Sequence, residues 1–258
     1  MAMGKILASD YDGTLSPDGT VVDRTTMRLI REWRAAGNLF GLVTGRDRLM
    51  TRDALMPQGL EADFLVCNNG TVLLDGDYEV LWSGGIPLAV VRELIDSPEL
   101  RESRYVVLAD PVGRYVYDDR FDEAAYCDIY YTGVLDRDSI AEHPLFYQMD
   151  TWYPDARAMR RIGDRLEERF GGVVTVNRNV NTIDLAPPGT DKATGLDRYL
   201  SLRGLEGWDV VTVGDGLNDL PMIARHGGYA MAWSIPEIRR QAPRGVVGSV
   251  AEVIEAEL

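Results

Sequence analysis

Asp10 and Asp12 stand two residues apart in the run Asp10-Tyr11-Asp12-Gly13-Thr14. At the end of a strand, two carboxylates at this spacing can point the same way, one as nucleophile and the other as proton donor. Gly13 permits a tight turn whose backbone N–H groups would form a concave anion site. Three further runs carry complementary chemistry. Thr44-Gly45-Arg46 offers an uncharged hydroxyl donor in Thr44. Lys192 follows Thr190-Asp191, a helix-opening pair, and sets a compact positive charge near a helix N-terminus, suited to a phosphoryl group. Gly214-Asp215 with Asn218-Asp219 brings two hard oxygen ligands of the kind Mg²⁺ takes.

These runs need elements that aim them at one place. Lys5–Ser9, Leu39–Val43, Phe64–Cys67 and the stretch 210–213 are short apolar runs, each ending in a polar loop, which predicts buried strands. Asp23 caps a helical pattern stopped by Gly37, and a second helix runs from Lys192 to about Leu202. Strands alternating with helices predict a parallel α/β sheet, in which ligands bind outside the carboxyl ends of the strands. The middle of the chain differs: helices over 87–100 and 155–170, and strands over 105–109, 115–118, 146–150, 173–177 and 182–185. Strands in succession predict an antiparallel α+β insert. The expected division is residues 1–81 and 185–258 for one domain and 82–184 for the other.

Each motif alone has a plainer explanation, such as a solvated turn or a surface lysine. Four of them in order, all at strand ends of one sheet, are not explained that way. The 258 residues suffice for two modest domains, and no stretch approaches the roughly 20 apolar residues needed to cross a bilayer. A first strand starting almost at the N-terminus leaves no room for a signal peptide, so a cytoplasmic location is expected. Two cysteines, Cys67 and Cys127, and two isolated histidines, His143 and His226, give neither a disulfide framework nor a thiolate or imidazole metal site. A net charge of −14 argues against nucleic acid or an anionic membrane as a partner. A small phosphorylated metabolite remains compatible, provided cations gather locally.

The four motifs resemble those of the haloacid dehalogenase superfamily, and the whole chain resembles its Cof-like branch, sugar phosphatases with a type IIB cap. The resemblance implies a Rossmann-like core in two pieces with an inserted α+β cap, and a Mg²⁺-dependent phosphatase acting through an aspartyl-phosphate. It makes Asp10 the nucleophile and Asp12 the general acid/base. Thr44-Gly45, Gly13, Lys192 and Asn218 become phosphate contacts. Asp215 becomes a Mg²⁺ ligand together with Asp10, the Asp12 backbone carbonyl and Asp219. The second carboxylate and the metal favour phosphoryl transfer over dehalogenation, which needs neither. After Tyr229-Ala230-Met231-Ala232 that branch commonly continues Gly-Asn; here Trp233-Ser234 follows, which implies an altered mouth.

For substrate contacts the sequence offers Arg46 and Asn69 on core loops, and Arg178 and Asn181 in the polar cluster before the return strand. The alternatives are a helix-start ion pair for Arg46 and a surface turn for the cluster. Eight of the twelve tyrosines fall between Tyr105 and Tyr153, where packing of a small sheet is the leading expectation over stacking on substrate. Asp118, Asp119, Asp122 and Glu123 read as a solvated acidic face. A phosphomutase of the same family and a non-catalytic binding protein stay open as alternatives, as does the oligomeric state.

Overall fold

The computed structural model describes residues 4–117, 130–179 and 181–258. The acidic run Asp118, Asp119, Asp122 and Glu123 lies outside the described residues, as does Cys127. The chain divides into two compact units, Met1–Trp82 with Asp191–Leu258, and Ser83–Thr190.

The first unit begins β1 (Lys5–Ser9), α1 (Arg24–Ala35), β2 (Leu39–Val43), α2 (Arg48–Leu55), β3 (Phe64–Cys67), β4 (Val72–Asp75) and β5 (Val80–Ser83). The second contributes α3 (Leu88–Asp96), α4 (Pro98–Arg101), β6 (Val106–Ala109), β7 (Arg114–Tyr117), β8 (Gly133–Leu135), β9 (Gln148–Trp152), α5 (Ala156–Phe170), β10 (Thr175–Arg178) and β11 (Thr182–Ala186). The chain then returns to the first unit with α6 (Lys192–Arg203), β12 (Asp209–Gly214), α7 (Leu220–His226), β13 (Tyr229–Met231), α8 (Pro236–Gln241), β14 (Gly245–Val247) and α9 (Val250–Glu257).

In the first unit eight strands form one sheet in the order β14-β13-β12-β1-β2-β3-β4-β5. The six from β14 to β3 run parallel, and β4 pairs antiparallel with β3. β1 lies at the centre with Ile6, Leu7 and Ala8 fully buried, because helices cover both faces of a parallel sheet and leave no polar alternation in its strands. Gly41 on β2 is required for packing. A Cβ there would sit 2.2 Å from the Phe64 ring, which stacks on Tyr199 of α6 with centroids 4.1 Å apart. Two caps set the helices that matter. Asp23 accepts from the Thr25 and Thr26 amides at the start of α1, and Asp191 forms a capping box with Thr194 at the start of α6.

The second unit is a six-stranded sheet, β10-β11-β9-β6-β7-β8, antiparallel except for β7 with β8. Its core joins Ile86, Val91 and Leu94 to Val106, Leu108, Met149, Ile162, Leu166, Ile183 and Leu185. Five of the eight tyrosines join apolar clusters, as expected: Tyr153 lies in that core, Tyr115 and Tyr117 pack against it, and Tyr105 and Tyr131 lie on Val107 and Val116, whereas Tyr130 is exposed and Tyr126 lies outside the described residues. His143 meets Asp110 at 2.5 Å and stacks on Phe146, a structural role. Among the described residues no helix is long and apolar enough to cross a membrane.

Candidate active site

The loops at the carboxyl ends of β1, β2, β3 and β12, with the start of α6, meet in the first unit. Asp10 follows β1 directly, its amide donating to Val213 of β12 at 3.0 Å, so the sheet itself fixes the backbone of this carboxylate. Lys192 is the first residue of α6 and only 1% exposed. Its Nζ lies 2.7 Å from Asp10 Oδ1 and 2.5 Å from Asp219 Oδ1. Asp219 Oδ2 accepts from the Asp215 and Gly216 amides at 3.0 and 2.8 Å, which orients it from the following turn. Carboxylate oxygens of Asp10, Asp215 and Asp219 lie within 4.8 Å of one another.

The charges in this cluster do not balance. Three carboxylates face one ammonium, leaving two negative charges in a site where Asp10, Asp219 and Lys192 are all but inaccessible. Burial pushes Asp10 above the usual carboxylate range, and Asp219 pushes it the same way against the pull of Lys192. Burial and then Asp219 push Asp215 up to about 6. Burial alone would lower Lys192, yet Asp10 and Asp219 outweigh it and hold the ammonium above its ordinary value. A divalent cation is the charge this donor set lacks, and three hard oxygens fit Mg²⁺ better than a softer metal.

Each sequence-predicted residue has a definite place. Gly13 has φ of 78°, the left-handed region that suits glycine, and a Cβ there would meet Asp215 Oδ2 at 2.5 Å. Its own amide donates to Ser16 at 3.0 Å, which corrects the expectation of a free anion-binding N–H at this residue; the contribution of Gly13 is space. Thr44 is buried, and its hydroxyl accepts from the Arg46 amide at 3.1 Å across Gly45. Arg46 holds both oxygens of Asp12 at 2.8 and 2.6 Å, donates to the Gly19 carbonyl at 2.9 Å, and lies over the Tyr11 ring. The ion-pair alternative therefore describes Arg46 as the structure has it, with the proton-donor candidate as its partner.

Asn69 is fully buried at φ of 50°, and its Oδ1 accepts from Asn218 Nδ2 at 3.1 Å. The contact that fixes this side chain is with Asn218. Arg178 and Asn181 belong to the second unit. The Arg178 guanidinium of β10 lies over Gly163 of α5 and pairs with Asp164 at 3.3 Å, so it is engaged by the helix packed beside its strand. Asn181 accepts the Tyr153 amide on its backbone carbonyl, which extends the antiparallel pairing of β9 with β11 by one step.

Two residues acquire contacts that sequence reasoning did not assign. Thr14 donates its hydroxyl to Asp215 Oδ1 at 3.0 Å, and its place in the Asp10–Thr14 run was the available signal. Trp233 donates its indole N–H to the Gly13 carbonyl at 2.8 Å, which no local pattern announces.

The chain is similar to known proteins along nearly its whole length. A family model described as haloacid dehalogenase-like hydrolase matches residues 7–252. The 5-amino-6-(5-phospho-D-ribitylamino)uracil phosphatase of Escherichia coli K12 is 26% identical, covering 88% of this chain and 84% of that protein. The HMP-PP phosphatase of Yersinia pestis is 21% identical, over 94% and 89%. The solved structure of the subclass IIB sugar phosphatase BT4131 superposes with a TM-score of 0.80 at 18% identity, over 98% of each chain.

Proposed function

The chain belongs to the haloacid dehalogenase-like hydrolases, and on that premise we propose that it hydrolyses the phosphomonoester of a small metabolite, a sugar phosphate or a related ester, in the cytoplasm with Mg²⁺ as cofactor. The observation that carries this reading is the buried Asp10 carboxylate, touched by the Lys192 ammonium at 2.7 Å and crowded by Asp215 and Asp219. A carboxylate attacks a phosphate dianion only where positive charge offsets the repulsion, since catalysis of phosphoryl transfer is mostly positioning and neutralisation. Asp10, Asp215, Asp219 and the Asp12 backbone carbonyl would hold Mg²⁺, which would supply that charge together with Lys192.

The protein's own groups then divide the work. Thr44-Gly45, Lys192 and Asn218 hold the phosphoryl oxygens. An Asp10 oxygen attacks phosphorus, forming an aspartyl-phosphate as the ester P–O bond breaks. Asp12, once released from Arg46 and having taken a proton from solvent, gives that proton to the departing alkoxide, then takes one from the water that attacks the aspartyl-phosphate. Inorganic phosphate leaves and Asp10 is restored.

The named activities of the two curated relatives suggest adding phosphorylated heterocycles to a panel of phosphorylated sugars, polyols and vitamins. Turnover in ¹⁸O-water with Mg²⁺ is expected to place one ¹⁸O in each released phosphate. Unlabelled transfer to a second hydroxyl would mean a phosphomutase, and inertness across the panel would mean a binding protein.

A further inference from the structure

The hydrolytic scheme leaves Trp233 unused. Its side chain is 49% exposed, and among the described residues of the first unit it is the one aromatic open to solvent. Indoles carry a large apolar area that folding ordinarily buries, so an exposed one needs a reason. The ring is not loose: its N–H is committed to the Gly13 carbonyl at 2.8 Å, on the loop that begins with Asp10. Gly13 itself lies against the Asp215 carboxylate.

This places a flat apolar face at the rim of the site. Asp10 and Lys192 are 4% and 1% exposed and form its floor. A phosphoryl group attacked by Asp10 therefore keeps its ester oxygen and leaving group on the solvent side, where the rim of the Asp10–Thr14 loop lies. The nearby Arg46 guanidinium is spoken for, paired with Asp12 and laid over Tyr11. Trp233 brings an apolar surface to that rim, and its anchored ring has little freedom to lose when a ligand settles on it.

We propose that Trp233 is a specificity-determining residue, a stacking platform that favours leaving groups bearing a planar aromatic ring. The inference rests on the phosphatase reading above. Benzyl phosphate and cyclohexylmethyl phosphate test it, because both release a primary alkoxide of similar size and only one is flat. Stacking beyond area burial corresponds to about a 2- to 10-fold preference in kcat/KM for the benzyl ester. Trp233→Leu should bring the ratio to about one, and Trp233→Phe, which keeps a ring but loses the anchoring N–H, should leave it in between. The ratio is unaffected by a general loss of activity in either variant.

Binding of benzylphosphonate and cyclohexylmethylphosphonate with Mg²⁺, followed by titration calorimetry, separates the two layers of the argument. Turnover of both esters at a ratio that Trp233→Leu does not change overturns the stacking role and leaves the phosphatase standing. No turnover of either ester or of the panel above, with a phosphonate affinity ratio that Trp233→Leu abolishes, keeps the stacking role and removes the phosphatase. Turnover of the panel without turnover or binding of the benzyl and cyclohexylmethyl probes removes the stacking role alone, and inertness to all of them removes both.

Discussion

Replacing Lys192 by Met tests the charge argument most directly. Met keeps the length and apolar stem of lysine and removes the ammonium, so the change is electrostatic rather than a matter of volume. In the native protein that ammonium touches Asp10 at 2.7 Å and Asp219 at 2.5 Å with almost no solvent access. Removing one partner of a buried ion pair costs about 3–5 kcal/mol, because the charge left behind has lost its solvation as well as its partner. Here two carboxylates are left, with Asp215 beside them.

Two results follow in urea denaturation at constant ionic strength. In EDTA, Lys192→Met should be less stable than the native protein by about 3 kcal/mol or more. Mg²⁺ stabilises both proteins, by about 2.7 kcal/mol at a hundred times the Kd, so the deficit should shrink by as much as the variant binds the ion more tightly. The variant should also bind Mg²⁺ at least about tenfold more tightly, worth about 1.4 kcal/mol, since a repelling positive charge is gone. Turnover should nonetheless be lost. A variant within about 0.5 kcal/mol of the native protein in EDTA, with unchanged Mg²⁺ affinity, would refute the picture of a cation-deficient cluster held by one lysine.

Asp10→Asn should lower kcat by on the order of 10⁴-fold or more while leaving the circular dichroism spectrum and Tm near native; residual turnover above that would assign the nucleophile elsewhere. Gly195→Ala would put a Cβ 2.4 Å from Gly70 Cα and 2.8 Å from Val66, forcing α6 away from the Asn69 loop. We expect a loss of about 1–3 kcal/mol in chemical denaturation and a fall in kcat, because Lys192 begins that helix; unchanged kcat in folded protein would contradict the linkage. Glu257 on α9 accepts from Arg244, Lys5 and Tyr229. Partial burial opposes its ionisation, but these donors hold it below its ordinary value of 4.5. Its contribution is therefore complete above that pH and is lost as pH falls through the lower folded-state value. Glu257→Gln should cost about 1–2 kcal/mol at pH 7 and progressively less below about pH 4.5, and a pH-independent difference would count against the network.

The sequence showed the core strands for a physical reason. A parallel strand covered by helices on both faces is a continuous apolar run, and Lys5–Ser9, Leu39–Val43 and Phe64–Cys67 are such runs with polar loops after them. Strands with one open face read less well. The stretch 146–150 was expected as a strand, yet β9 is Gln148–Trp152, because Phe146 leaves the sheet to pair with Ile86 and the strand runs on through Asp150 and Thr151, with the polar Gln148 and Asp150 buried beside Met149. The pairing of β7 with β8 is parallel within an otherwise antiparallel sheet, which strand succession alone does not disclose. In the site, the grouping of Asp10, Lys192, Asp215 and Asp219 was legible because each stands just beyond a strand end or at a capped helix start. Which partner a polar group takes was not. Arg46 and Asp12 lie 34 residues apart, and Asn69 and Asn218 lie 149 apart, so their pairing is decided by tertiary packing.

The places where local rules break locate the same site independently. Asn68 and Asn69 both adopt φ of 50°, and Gly70 follows at 100°, three successive left-handed residues at the end of β3. Non-glycine residues held there cost of order 1–3 kcal/mol each unless the surroundings over-determine them. They are over-determined: the Asn69 amide donates to the Thr44 carbonyl at 3.0 Å, its side chain takes Asn218, and Gly70 lies under the Asp191 carbonyl where a Cβ would come within 2.2 Å. Asn68 is fully buried with neither end of its amide partnered, and the Thr71 hydroxyl beside it is in the same state. Strain, unpartnered polar atoms and an uncompensated charge all lower stability; the first two fall on the loop after β3, which touches Thr44, Asn218 and Asp191, and the third on Asp10, Asp215 and Asp219 beside it. A chain selected for stability alone would not collect them in one place, whereas one that must hold a carboxylate ready to attack a dianion has no cheaper arrangement.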